Sequence, residues 1–153
     1  MIKTETISVT DFRKQLSDAQ FDVPNREYII CKQAAYSMRM DYPDVLFHFD
    51  LAGLKLTKAQ AGMTKAIQCG RGWCDLQLAE PRGIYHGYFV EIKREGTNLL
   101  KKNGTWASDH IQEQENMIQK LRRRGYKAEF AIGLDQLLTQ IKYYMSLPKW
   151  VNP

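Results

Sequence analysis

The chain is poor in several features that would narrow its class at once. No apolar run approaches the roughly 18 residues needed to span a bilayer, and the opening MIKTETISVTDFRKQL holds no apolar stretch of the secretory-leader kind. The expectation is a cytoplasmic protein with no membrane partner. Cysteine is scarce: Cys31, Cys69 and Cys74 form no C-x-x-C pair, and an odd number suits reduced thiols better than a disulfide framework. Cys69 and Cys74 together with a histidine match no common zinc spacing. Internal repeats and low-complexity tracts are missing too. Lys and Arg (22) exceed Asp and Glu (17) enough for a net charge of +5, which suits a polyanionic partner without requiring one.

What is present is enough for one folded core. With 153 residues, 44% hydrophobic and 25% charged, length and composition are those of a single globular domain. Residues 1–24 read as an N-terminal appendage in which Thr10 caps a short helix through Leu16, 25–147 as the domain, and 148–153 as a tail. Ile29, Ile30, Ala34, Tyr36, Met38 and Met40 predict a helix over 26–40, closed by Asp41-Tyr42-Pro43. Residues 45–49 predict a strand. Residues 54–68 predict a helix capped by Thr57, with Ala59, Met63, Ala66 and Ile67 on its apolar side and Gly70 and Gly72 past its end. The period then changes to two, so 73–79 and 86–93 predict a hairpin turning at Glu80-Pro81-Arg82-Gly83. After a polar loop, Ser108 or Asp109 caps a helix to Arg124, with Ile111, Met117, Ile118 and Leu121 inward and Gly125 as its stop. A strand over 127–132 follows, then a last helix capped by Asp135, with Leu138, Ile141 and Met145 as its apolar face. This order predicts an α/β fold, a mixed β-sheet flanked by helices.

In Tyr88-Phe89-Val90-Glu91-Ile92-Lys93, alternation places Phe89, Glu91 and Lys93 on one face and Tyr88, Val90 and Ile92 on the other. The partner strand begins at Asp75, with Leu76 and Leu78 on its opposite face, so a second carboxylate comes to the same side across the hairpin. Asp75, Glu91 and the Ile92 backbone carbonyl are hard oxygen donors of the kind Mg²⁺ or Mn²⁺ prefers. Such a metal stabilises charge developing on a phosphodiester and acidifies a bound water, while Lys93 is placed to orient that water and offset negative charge. Without a cation, carboxylates so close repel, and one tends to keep a proton. The bare D-x15-E-x-K spacing also fits an ordinary ion-paired hairpin, with Asp75 capping the turn region and Glu91 and Lys93 on a solvated face.

The stretch from Gly70 to Gly96, GRGWCDLQLAEPRGIYHGYFVEIKREG, resembles the VRR-NUC branch of the PD-(D/E)XK nuclease superfamily. Members of that branch carry a G-x-P-D-L strand, a hairpin ending in P-R-G-x-Y-H-G, and an E-x-K strand. The likeness continues through 42–53 upstream and through Gly104-Thr105-Trp106, Glu113-Gln114 and 121–126 downstream. It implies a restriction-endonuclease-like core in which Asp75 and Glu91 bind metal, Lys93 is the catalytic lysine, Glu27 on the first helix supports the metal site and Gln114 faces it. Gln114 is also conspicuous by position, because it shares a helix face with Ile111, Ile118 and Leu121, where an amide is costly without polar company. Asp50, ending the first strand, is a further acidic candidate or a turn cap. The motif's usual proline is Cys74 here, which frees φ and restores an N–H without removing a ligand. No histidine is placed beside Cys74 to make it a nucleophile.

The function the resemblance implies is Mg²⁺- or Mn²⁺-dependent DNA endonuclease activity. Free-standing phage and bacterial members act as homodimers on branched DNA such as Holliday junctions, and fused members act on flaps. The small size favours the free-standing kind, and a two-fold dimer would bring two sites to two strands, through residues 1–24 or Tyr143-Tyr144. An exonuclease, a restriction-like defence nuclease and a catalytically silent DNA-binding module are the alternatives. Arg94, Lys101, Lys102, Lys120, Arg122, Arg123 and Arg124 are expected to flank the site and contact phosphates, although cations at the end of that helix also suit its dipole.

Overall fold

The structure, a computed structural model, describes residues 26–51, 54 and 56–151. The appendage expected over 1–24, with its short helix at Thr10–Leu16, lies outside them. The described chain runs α1 (Arg26–Asp41), β1 (Phe47–Phe49), α2 (Lys58–Ala66), β2 (Leu76–Leu78), β3 (Tyr88–Lys93), α3 (Asp109–Arg122), β4 (Lys127–Ile132) and α4 (Gly133–Ser146). Its strands form one mixed sheet in the order β1-β2-β3-β4, antiparallel across the first two pairings and parallel across the last. None of its helices is long and apolar enough to cross a membrane.

Side-chain alternation sorts the strands onto two cores. Leu76, Leu78, Tyr88, Val90 and Ile92 join Ala34 and Met38 of α1 and Leu137, Ile141 and Tyr144 of α4 on one face. Cys74, Phe89 and Ala128 meet Met117, Ile118 and Leu121 of α3 on the other. With helices over both faces, every residue of β3 is buried. Glu91 and Lys93 belong to the Phe89 face, so they lie beneath α3. The solvated-face alternative for this pair is thereby excluded.

Local chemistry explains most element boundaries. Ser108 caps α3, its Oγ accepting the Ile111 N–H at 3.2 Å, and Gly125 follows its end at φ +83°, a left-handed position that favours glycine. The hairpin tip falls slightly later than expected, at Gly83-Ile84, closed by reciprocal backbone hydrogen bonds between Arg82 and Tyr85 at 3.1 and 2.9 Å. Arg82 is buried and latches this tip to the end of α4: Nη1 donates to the Met145 and Leu147 carbonyls at 3.2 and 3.4 Å, and Nε donates to Glu80 at 3.1 Å.

Two helices differ from expectation. Thr57 and Gln60 form a capping box on α2, yet none of its residues is buried. Met63 on α2 is 71% exposed, and Ile67 just past it is 87% exposed. The cause is topological: β1 and β2 pair directly, so the segment connecting them is left without a sheet face to cover. α4 starts at Gly133 with Ile132 at the N-cap and no side-chain cap, and Asp135 lies in its first turn instead. Its buried face is Leu134, Leu137, Ile141 and Tyr144, rotated from the expected Leu138, Ile141 and Met145. Tyr144 accounts for the rotation: its ring stacks on Tyr88 at 4.7 Å and its hydroxyl donates to the Glu80 carbonyl at 2.5 Å. Tyr144 is therefore buried and unavailable to a dimer surface, whereas Tyr143 is exposed.

Candidate active site

The site forms where the hairpin ladder ends. β2 begins at Leu76, paired with Val90, so Ile92 lies past the last β2 partner. Its N–H donates instead to the Asp75 carboxylate, Oδ2, at 2.7 Å. In an extended strand a residue's N–H and C=O point to the same edge, so the Ile92 carbonyl faces the Asp75 edge as well. Asp75 is anchored in turn, its backbone carbonyl accepting the Asp50 N–H at 2.7 Å.

Glu91 is only 2% exposed. Its Oε1 accepts from Lys93 Nζ at 3.0 Å and from Gln114 Nε2 at 2.5 Å, while its Oε2 is buried with no hydrogen-bond partner among the described residues. The Asp75 carboxylate is near enough to Glu91 to bear on it electrostatically. Burial pushes the Asp75 carboxyl from 3.8 up to about 6, against the pull of the Ile92 N–H and of Lys93. Burial first, and then the Asp75 charge, hold Glu91 well above the usual carboxylate range, with Lys93 opposing. Glu27, half-buried on α1, raises both further.

This donor set fits a hard divalent cation. Mg²⁺ keeps several waters and takes one or two carboxylates, which Asp75 and Glu91 supply beside the Ile92 carbonyl. An orphaned buried carboxylate oxygen next to a second carboxylate is otherwise costly, and a cation would relieve both the missing partner and the repulsion. Among the described residues no group of three or more His, Cys, Asp or Glu side chains is arranged to hold a metal. Of the two cysteines nearest the site in sequence, Cys69 is exposed and Cys74 is buried.

Gln114 reaches the site from α3, as its position among Ile111, Met117, Ile118 and Leu121 suggests. Gly72 brings the preceding loop against the same helix. A Cβ there would stand 2.7 Å from the Glu113 carbonyl oxygen, and its φ is +79°. Two adjoining clefts share Gln68. One, about 430 Å³, is lined by Asp75 with His48, Asp50 and Trp73; the other, about 610 Å³, by Lys65, Arg71, Gly72, His110 and Glu113. Asp50 thus shares a cleft with Asp75, and its Oδ2 accepts from Gln68 Nε2 at 3.4 Å.

The expected cations divide into two groups. Arg94, Lys101 and Lys102 are exposed on the chain leaving β3 beside Lys93. Arg122, Arg123 and Arg124 do not flank the site. From Gln114 to Arg122 the helix runs about 12 Å along its axis towards Lys127, which pairs with Tyr88 at the opposite end of β3. There Arg122 Nε donates to the Ala128 carbonyl at 2.7 Å, and Arg124 Nη1 donates to the Lys120 carbonyl at 2.9 Å. Nearness in sequence misled because α3 doubles back along the sheet. The cations in the cleft beside the site are Lys65 and Arg71, which sequence reading missed, as it missed His110. The available signal for His110 was its spacing, one helical turn before Gln114.

A mixed sheet with helices on both faces and an acid pair with lysine at the open end of a hairpin is a restriction-endonuclease-like α/β arrangement. No family model and no curated protein matches the sequence. Among solved structures, a VRR_NUC domain protein is similar, with 24% sequence identity and a TM-score of 0.56, over 82% of this chain and 92% of that chain. The chain has the VRR_NUC fold.

Proposed function

We propose that this chain is a metal-dependent DNA endonuclease that hydrolyses phosphodiester bonds at Asp75, Glu91 and Lys93, with Mg²⁺ or Mn²⁺ as its metal and branched DNA as its substrate. The observation that carries the reading is Glu91 itself. A structural ion pair buried under α3 would satisfy both carboxylate oxygens, yet both donors converge on Oε1 and Oε2 has no partner among the described residues, beside a second acid. The likeness in fold to a VRR_NUC domain protein supports the same reading.

When bound, the cation supplies charge stabilisation at the scissile phosphate and a more acidic water. The chain's own groups do the rest. Asp75 and Glu91 present oxygen donors from adjacent strands, and the Ile92 N–H holds the Asp75 carboxylate in place. Lys93 carries its charge into a site closed by α3, where electrostatic stabilisation is stronger than in water. Lys65 and Arg71, with Arg94, Lys101 and Lys102 beyond the end of β3, provide phosphate contacts that position a strand without reading its bases. Branched DNA as the preferred substrate and homodimerisation rest on the VRR-NUC resemblance.

The test is incubation with four-way junction, flap and linear DNA in Mg²⁺ or Mn²⁺, beside Asp75→Ala and Lys93→Ala. Cutting of the branched substrates by the wild type alone is expected. Undiminished cutting by either variant would overturn the mechanism, preference for linear ends would make the chain an exonuclease, and binding without cutting would make it a silent module.

A further inference from the structure

We propose that His110 is a positioning residue for Glu91, acting through the Gln114 amide; the proposal rests on the metal-dependent nuclease reading of the site. His110 and Gln114 stand one turn apart on α3, His110 on the exposed flank and Gln114 buried. Gln114 Nε2 lies between two neighbours, 2.5 Å from Glu91 Oε1 and 3.1 Å from His110 Nε2. An amide nitrogen carries two hydrogens and accepts nothing, so both neighbours must accept from it. His110 Nε2 is therefore the lone-pair nitrogen, and the ring proton is on Nδ1.

The amide is turned this way at a cost, because its own Oε1 is left buried without a partner among the described residues. Turned over, it would set that carbonyl oxygen against Glu91 Oε1. The acceptor on His110 makes the observed orientation the better one from the far side, as Glu91 does from the near side. The result is an asymmetric carboxylate. Lys93 and Gln114 saturate Oε1, and Oε2 is the oxygen left for a cation. His110 thus determines, through Gln114, which oxygen of Glu91 is available. The ring also lines the cleft that holds Lys65 and Arg71, so a strand occupying that cleft would touch the far end of the chain of contacts that reaches Glu91.

The test compares wild type, His110→Ala and His110→Gln, whose side-chain carbonyl reaches as far as Nε2 and keeps an acceptor. In the metal-free protein, long-range proton–nitrogen NMR should show the Nδ1–H tautomer of His110; the Nε2–H tautomer would overturn the proposal. By calorimetric titration with Mn²⁺, His110→Ala should bind roughly tenfold more weakly, the usual size for a residue behind a metal ligand, and His110→Gln should recover the loss. On junction DNA, kcat should fall in His110→Ala while KM holds. Equal Mn²⁺ affinity in wild type and His110→Ala would overturn the role of His110 even if the wild type cuts DNA. A wild type that binds Mn²⁺ with the expected differences but cuts nothing would instead remove the nuclease reading and leave the positioning role standing. A wild type that binds no Mn²⁺ would remove both. Because His110 is exposed, the variants should unfold at the wild-type temperature.

Discussion

The Asp75 carboxylate stands in for a missing strand carbonyl: its Oδ2 accepts the Ile92 N–H at 2.7 Å, beyond the last pairing of β2 with β3. The bond ties the end of the hairpin, while the buried charge opposes Glu91. Asp75→Asn keeps an acceptor for Ile92 and removes the charge. In chelator at neutral pH the variant should be more stable than wild type by up to about 3 kcal/mol, the worth of a carboxyl raised from 3.8 to about 6, and it should not cut DNA. Urea unfolding reads the difference; a less stable variant would show that the hydrogen bond outweighs the charge.

The same shift sets a pH dependence. Because the folded state holds the Asp75 proton more tightly than the unfolded chain, it binds more protons between 3.8 and about 6. Its contribution to stability therefore falls as pH rises through that window. The raised Glu91 acts in the same direction. The advantage of Asp75→Asn over wild type should shrink as pH falls and vanish below 3.8, and Mg²⁺ should shrink it at neutral pH. Thermal unfolding across pH, with and without chelator, measures both trends.

Gly72 should tolerate no side chain. Gly72→Ala must place a Cβ 2.7 Å from the Glu113 carbonyl oxygen at a φ of +79°, and the backbone strain alone is of order 1–3 kcal/mol. Gly70→Ala meets nothing within 4 Å and should change stability by less than about 0.5 kcal/mol. Chemical unfolding of the two variants makes the comparison, and loss of cutting should accompany Gly72→Ala because α3 carries Gln114.

The placement of the cations predicts an asymmetry in DNA binding. Lys65→Ala and Arg71→Ala should each weaken binding and lower the slope of log affinity against log salt by about 1. Arg123→Ala, at the other end of the sheet, should leave the slope unchanged. Fluorescence anisotropy over a salt series decides it; an effect confined to Arg123→Ala would place the DNA at that opposite end.

Thiol chemistry should separate the three cysteines. Burial, with Asp75 and Glu27, pushes the Cys31 thiol up to about 12, and burial with Glu91 raises Cys74 as well. Cys69 is exposed. Native protein should take up iodoacetamide at Cys69 alone, with the other two reacting only on unfolding, as mass spectrometry of digests would show.

Local signals carried far in this sequence wherever the cause was local. Ser108, the apolar spacing from Ile111 to Leu121, and Gly125 bound and orient α3, and alternation in 88–93 separates Glu91 and Lys93 from Val90 and Ile92. Reading α2 failed because a pattern shows which side of a helix is apolar, not whether anything lies opposite it. The face of α4 was misjudged because a tyrosine hydroxyl with a carbonyl to reach turned the helix. Lys65, Arg71 and His110 meet only because Gly72 lets a loop press onto α3, a juxtaposition that spacing along the chain does not encode.

The Arg82 latch gives the hairpin a second fastening. Its open end is closed by the Asp75 bond to Ile92, and its tip is bound to the Met145 and Leu147 carbonyls at the end of the last helix. A strand pair fastened at both ends resists sliding of one strand past the other. Residues 145–147, far along the chain from the acids, thereby help to hold the hairpin that carries them.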